Sequence, residues 1–398
     1  MRPKKNIFYI IVVLFLLLPP GYLMRVDFVK RAFEILQILI LLYYVILMVR
    51  GKKKPDGIVI GILLIMLEIF MATIFTSKDI VGYFRYFASV LALCLFASFN
   101  MQKNADLFIE GTSIICHIYM VINTLTLFLF PNAMYANNRG IMTCWFLGED
   151  NVGLTFYMLA NFLALVLVAR NMKRAILLFG FSVGNTLLFV LKNNIATGKV
   201  CIIIFLVLAI LAKFYKKITL VNFKALIGIE FGILFILMVS QLNSSIYVFI
   251  QTHFGKSTAL SGRTLIWERV LQLIAKHPVV GNGYYRETLF SETVRLPGLT
   301  NTHNYFLQLT FWGGLLSVSV LIGMFFYLDS RFRAEDRDSL YIVFLLSFLT
   351  YIIREQVESG YGQIIFFLLI LIFYQKNISI KKEYQYRIKR RRRKIKLF

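Results

Sequence analysis

The chain of 398 residues is 59% hydrophobic and 16% charged, with a mean hydropathy of +0.72 and a formal net charge of +24. Soluble domains average about 45–50% apolar and about 25% charged residues, so both ratios exclude an ordinary soluble enzyme, intrinsic disorder and a small disulfide scaffold. What remains is one polytopic unit dissolved in lipid.

A spanning helix needs about 20 mostly apolar residues. Twelve segments qualify in chain order: 6–24, 32–49, 58–76, 80–99, 111–130, 151–169, 174–191, 199–215, 222–241, 304–328, 339–354 and 361–375. The first is broken by Pro19-Pro20 and lacks the small-residue cleavage site of a signal peptide. Segment 339–354 is short and ends in Arg354-Glu355. The cysteines Cys94, Cys116, Cys144 and Cys201 form no CxxC pair and are expected as small core residues. With the N-terminus inside, the basic residues favour the cytoplasmic connections, and an even number of spans keeps both termini there.

The charge balance, 44 basic residues against 20 acidic ones, first suggests nucleic acid. Yet residues 376–398 hold eleven basic residues and a single acid, Glu383, directly after an apolar segment. A cytoplasmic tail resting on anionic headgroups accounts for that placement, with membrane lipid as partner and no nucleic acid. The expected fold is therefore all-α: a polytopic membrane protein of about 12 transmembrane helices. Residues 1–241 carry spans one to nine, 242–303 an extracytoplasmic loop, 304–375 spans ten to twelve, and 376–398 the polybasic tail.

Most connections are short. Two outer ones, 131–150 and 242–303, are long, and long loops in a compact unit usually carry function or are disordered. Within the second, residues 261–276 have amphipathic spacing, with Ser261 as N-cap and His277-Pro278 as stop. Arg263, Trp267, Val270 or Leu271, and Ile274 share one face, and Glu268, Gln272 and Lys276 another. An arginine on the apolar face is unusual, and its bland explanation is interfacial snorkelling. The turn Val280-Gly281-Asn282-Gly283-Tyr284 follows, then Arg286, Arg295 and Thr302-His303-Asn304 where the tenth span begins. Gly313-Gly314 in that span permits close approach of a neighbouring helix. A lone interfacial histidine is more often structural than catalytic, although histidine suits a general base.

Ionisable residues inside spans are expensive and point to function or pairing. Glu68, His117 and Glu230 lie within spans, and Arg354, Glu355 and Glu358 cluster at the outer end of the eleventh. Arg85, Arg139, Lys192, Lys199, Arg263, Arg286 and Arg295 all fall at the outer rim. Fixed positive charge concentrated there implies an anionic substrate, with phosphate the natural match for arginine forks.

The order Ser261-Gly262-Arg263, Trp267, His277-Pro278, Gly281-Asn282-Gly283, Thr302-His303-Asn304, Gly313-Gly314 resembles the signature of the O-antigen ligase and polysaccharide polymerase (Wzy-type) superfamily. Gly148-Glu149-Asp150-Asn151 is similar to a G-x-x-N stretch in the same proteins. The resemblance implies a GT-C-like, inverting glycosyltransferase that needs no metal and no cofactor. It would move glycan repeats from a polyprenyl (undecaprenyl) diphosphate carrier to an acceptor glycan, in the bacterial plasma membrane. By the same resemblance Arg263 is a diphosphate ligand and His303 the base. Lys199 stands where relatives carry arginine, keeping the charge without the fork. Arg85 and Arg286 complete the expected diphosphate set, and Glu149, Asp150 and Asn304 the acceptor set. A chain-length regulator and a flippase of the same pathway are the implied protein partners. Composition rich in Lys, Ile, Asn, Phe and Tyr favours capsule or exopolysaccharide polymerisation; ligase-type transfer to another acceptor and a flippase-like transporter are the alternatives.

Overall fold

The structure, a computed structural model, describes residues 3–51, 54–136, 143–214, 222–229, 231–232, 259–332, 339–358 and 362–379. Expectations about Arg139, Glu230, most of the ninth apolar segment, the start of the long loop and the tail beyond Ser379 lie outside the described residues.

Helix α1 (Pro3–Leu17) ends where Pro19-Pro20 can no longer donate backbone bonds, and α2 (Asp27–Val49) follows a short turn. Helix α3 (Gly57–Phe75) is capped by Asp56, whose Oδ1 accepts from the Val59 N–H at 2.9 Å. Helix α4 (Ile80–Leu129) covers two of the expected spans and is interrupted at Asn104 (φ −160°, ψ 84°), whose side chain accepts from the Leu107 N–H and so caps the second half. The connection after it, expected as a plain loop, contains a small antiparallel meander of β1 (Tyr135–Ala136), β2 (Thr143–Trp145) and β3 (Gly148–Glu149), with Cys144 opposite Tyr135 on one side and Glu149 on the other. Its last turn is bonded to the α1–α2 connection, Gly21 N–H to Leu147 C=O and Tyr22 N–H to Phe146 C=O. Helices α5 (Asp150–Ala169), α6 (Ala175–Lys192) and α7 (Ala196–Phe214) follow. The long loop supplies α8 (Ala259–Ile274) and α9 (Glu287–Val294), the second unforeseen. Helices α10 (Tyr305–Arg331), α11 (Ser339–Glu355) and α12 (Gln363–Phe373) complete the described chain.

Six of the described helices are long and apolar enough to cross a membrane. Large apolar side chains such as Leu39, Val49, Ile176, Leu177 and Ile203 are more than half exposed on α2, α6 and α7, a surface suited to hydrocarbon and costly in water. By contrast α11 and α12 are buried nearly all round and form the centre of the bundle. The all-α, polytopic membrane architecture agrees with the composition. The short segment 339–354 is central, which explains how it tolerates Arg354 and Glu355: both side chains are fully buried and paired with each other. Glu68 accepts from Ser317 of α10 at 2.9 Å, and His117 Nδ1 lies 2.7 Å from the Ser113 carbonyl, so both have local partners. All four cysteines are buried, and none forms a disulfide among the described residues.

One feature positions the loop-rich end. Helix α10 is broken at Gly314 (φ 64°, ψ −164°), and residues 278–283 of the long loop lie against the break. Their backbones exchange bonds: Asn282 N–H to Phe311 C=O at 2.7 Å, Gly283 N–H to Trp312 C=O at 2.9 Å, and Leu315 N–H to Pro278 C=O at 2.9 Å. Thr73 of α3 closes the other side by accepting from the Tyr284 N–H at 2.9 Å. Irregular backbone at this depth is tolerated because its polar groups are satisfied by protein. The Gly313-Gly314 pair was expected to admit a neighbouring helix; at Gly314 the segment that approaches is this loop. A Cβ on Gly314 would stand 2.1 Å from the Val279 oxygen, and one on Gly281 (φ 78°) 2.5 Å from the Gly314 nitrogen and the Trp312 oxygen. Gly281→Ala is therefore expected to cost more than the 1–3 kcal/mol of left-handed strain alone, seen as a lowered unfolding midpoint in detergent.

Candidate active site

The apolar face of α8 packs as its spacing predicts. Trp267, Val270 and Ile274 join Phe290 and Val294 of α9 and Leu307 and Phe311 of α10 in a compact cluster, whereas Leu271 is exposed. Trp267 Nε1 donates to the Thr302 carbonyl at 2.8 Å, tying α8 to the segment before α10. Arg263 lies one turn before Trp267 on the same helix, so this docking fixes its direction.

That direction is toward Glu358, past the end of α11. Arg263 Nη2 bonds Glu358 Oε1, and His303 Nδ1 lies 3.4 Å from Glu358 Oε2. Arg263 is thus an ion-paired residue within the fold and not a snorkelling one. The Glu358 side chain is 9% exposed, the Arg263 side chain 16% and the His303 side chain 30%. Burial pushes the Glu358 carboxyl up, but the bond from His303 and the positive charges of Arg263, His303 and Arg354 outweigh it and hold the carboxyl below its ordinary value.

His303 has a left-handed backbone (φ 52°), uncommon for a residue with a Cβ. Its neighbours impose it. Asn301 Oδ1 accepts from the His303 N–H at 2.8 Å, Gln308 Oε1 from the Thr302 N–H at 2.9 Å, and Thr302 Oγ1 donates to the Asn304 carbonyl at 2.6 Å. Asn304, expected among the acceptor ligands, is fully buried. Its Oδ1 caps α10 through the Leu307 N–H, and its Nδ2 donates to Gln356, so the side chain serves to fix His303 beside the end of α11.

The other expected ligands are dispersed. Lys199 begins α7 and donates to Asn194 Oδ1 at 2.6 Å. Arg85 is 64% exposed and 4.0 Å from Glu34 of α2. Arg286 is exposed at the start of α9, its N–H bonded to Asp79 Oδ2 at 3.0 Å. Among the described contacts none of the three touches Arg263, Glu358 or His303. Asp150 opens α5 and accepts from the Asn151 N–H, and Arg354 donates to the Asn151 carbonyl, which binds the start of α5 to α11.

Glu149 belongs to a different feature, a cleft of 510 Å³ between the α1–α2 connection, the meander, the start of α4 and the first turns of α10. Tyr86, Tyr284, Tyr305 and Trp312 line it, as do Thr300 and Asn301 just before His303. Burial, with the Asp79 and Glu287 carboxylates adding to it, raises the Tyr284 phenol above its ordinary value and keeps it a protonated donor. Neither this cleft nor Glu358 as the common partner of Arg263 and His303 was predicted. The only sequence signal for the latter was the acidic cluster after the eleventh span.

Residues 159–322 match the family model described as O-Antigen ligase. No curated protein and no solved structure matches the chain. The matched stretch contains Arg263, the Gly281–Gly283 turn, His303 and Gly313-Gly314, which carry the resemblance, and Lys199, which departs from it; Gly148-Glu149-Asp150-Asn151 lies before it. Through this segment, which is less than half of the chain, the protein is similar to the O-antigen ligase family, in keeping with its polytopic membrane architecture.

Proposed function

We propose that the protein is a polysaccharide polymerase of capsule or exopolysaccharide type, transferring glycan repeats from a polyprenyl diphosphate carrier to an acceptor glycan at the outer face of the plasma membrane. The observation that carries this reading is the convergence of Arg263 and His303 on one buried carboxylate, Glu358. In the proposed mechanism Glu358 accepts from His303 Nδ1–H and so leaves Nε2 as the proton acceptor. Nε2 takes the proton of the acceptor hydroxyl as its oxygen attacks the anomeric carbon on the face opposite the carrier, which inverts the configuration. The bond to the diphosphate oxygen breaks, and the guanidinium of Arg263, with donors beyond the one held by Glu358, stabilises the negative charge that develops there. Lys199, Arg85 and Arg286 supply further positive charge at the same end of the bundle, drawing the anionic headgroup in. Cations acting on an already good leaving group take the role a metal would have.

The test is chain growth. Purified protein in lipid nanodiscs, given a polyprenyl diphosphate oligosaccharide, is expected to yield products lengthened by whole repeats. Transfer of a single repeat to a non-glycan acceptor would identify a ligase instead. No transfer to any acceptor from a chemically intact donor would end the transferase reading.

A further inference from the structure

The cleft of 510 Å³ lies beside the Arg263–Glu358–His303 group without including it. Its floor is an aromatic platform. Tyr86 and Tyr284 stack with centroids 5.5 Å apart and 24° between planes, and Trp312 meets Tyr284 at 5.4 Å and Tyr86 at 5.5 Å. The platform is rigid because Tyr284 is held by Thr73 and the Gly283–Trp312 backbone bond. The Nε1–H of Trp312 is buried and has no hydrogen-bond partner among the described residues. Glu149, Asn301 and Gln308 add carboxylate and amide groups to the walls. Flat aromatic faces bordered by polar walls suit a ligand with apolar C–H faces and a rim of hydroxyls. The volume is typical of a preformed binding site.

We propose that this cleft holds the acceptor glycan, its sugar rings stacked on Tyr86, Tyr284 and Trp312, and presents the terminal hydroxyl to His303; this rests on the transferase reading above. The direction follows from the chain. Asn301 and Tyr305, on either side of His303, line the cleft, whereas the His303 ring faces Glu358 and the diphosphate clamp. Acceptor and donor thus approach the base from separate compartments. Tyr284 and Trp312 become specificity-determining residues, selecting glycans by ring stacking where the carrier is selected by charge.

Trp312 is one of three tryptophans and serves as a reporter. Oligosaccharides released by mild acid from the host's own surface polysaccharide, added to the nanodisc protein, are expected to quench its fluorescence saturably. Trp312→Phe should abolish the signal, Tyr284→Leu should weaken binding at least tenfold, and His303→Ala should keep saturable quenching while transfer falls by about 10²–10⁴-fold. Glu149→Gln, away from the platform, guards against misfolding of the Tyr284 variant and should weaken binding several-fold. Absence of quenching, or equal quenching in Trp312→Phe and Tyr284→Leu, overturns the proposal. If fragments fail to bind while donor-dependent transfer still requires Arg263 and His303, the cleft assignment falls and the enzyme stands. Binding without transfer by the parent protein would support the cleft and sink the transferase reading instead.

Discussion

Replacing Arg263 by alanine is expected to reduce transfer by about 10³-fold or more, because one preorganised donor on developing charge is worth about 10²–10³ and the clamp loses its main cation. The same change leaves Glu358 buried and short of its partner, and breaking a buried pair costs about 3–5 kcal/mol. Arg263→Met combined with Glu358→Gln separates the two effects. It should recover most of the unfolding midpoint, measured in detergent, while transfer stays lost; recovery of both would make Arg263 purely structural. The pH dependence has a defined sign. The Glu358 carboxyl is held below its ordinary value in the folded protein, so its contribution to stability is complete above the unfolded-chain value. That contribution is lost as pH falls through the lower folded one. The parent should therefore lose this increment only in acid, and the double variant should show no such step.

Removing the imidazole should act mainly on chemistry. His303→Ala is expected to lower the transfer rate by about 10²–10⁴-fold, the usual worth of a positioned base, with a smaller fall in the unfolding midpoint than Arg263→Ala, because the ring that bonds Glu358 is itself 30% exposed. Glu358→Gln should also move the pH profile of transfer, since an amide cannot hold the imidazolium as a carboxylate does. An unchanged profile in that variant would leave Glu358 with only its ion pair to Arg263. Normal polymer from His303→Ala in cells that insert the protein would end the mechanism.

The sequence carried the periodic parts of this molecule well. The face of α8 was legible because three- to four-residue spacing of Arg263, Trp267, Val270 and Ile274 is a local property, and the structure packs that face inward. The Gly281-Asn282-Gly283 turn and the Gly313-Gly314 pair were visible as motifs, yet their relation was not. They meet through backbone bonds between distant segments, and nothing local to either encodes the other. Glu358 escaped for the same reason: it stands 55 residues beyond His303, across two helices, and only the packing of α11 brings it back. Asn304 shows a local role that the motif reading passed over. An amide beside a histidine suggests substrate, whereas in the structure its Oδ1 caps the helix that starts at Tyr305.

Helix α12 has 11 residues, so it rises about 16 Å, roughly half of a hydrocarbon core of about 30 Å. The end that carries Gly362 borders the cleft, so on that side the cleft adjoins a helix too short to cross the layer alone. In the transferase proposed above, such a short wall would let water and sugar descend while the carrier's isoprenoid stayed in the acyl layer. The proposed transfer would then take place near the depth of the carrier's diphosphate, with no work spent lifting a greasy molecule out of the bilayer at each turnover.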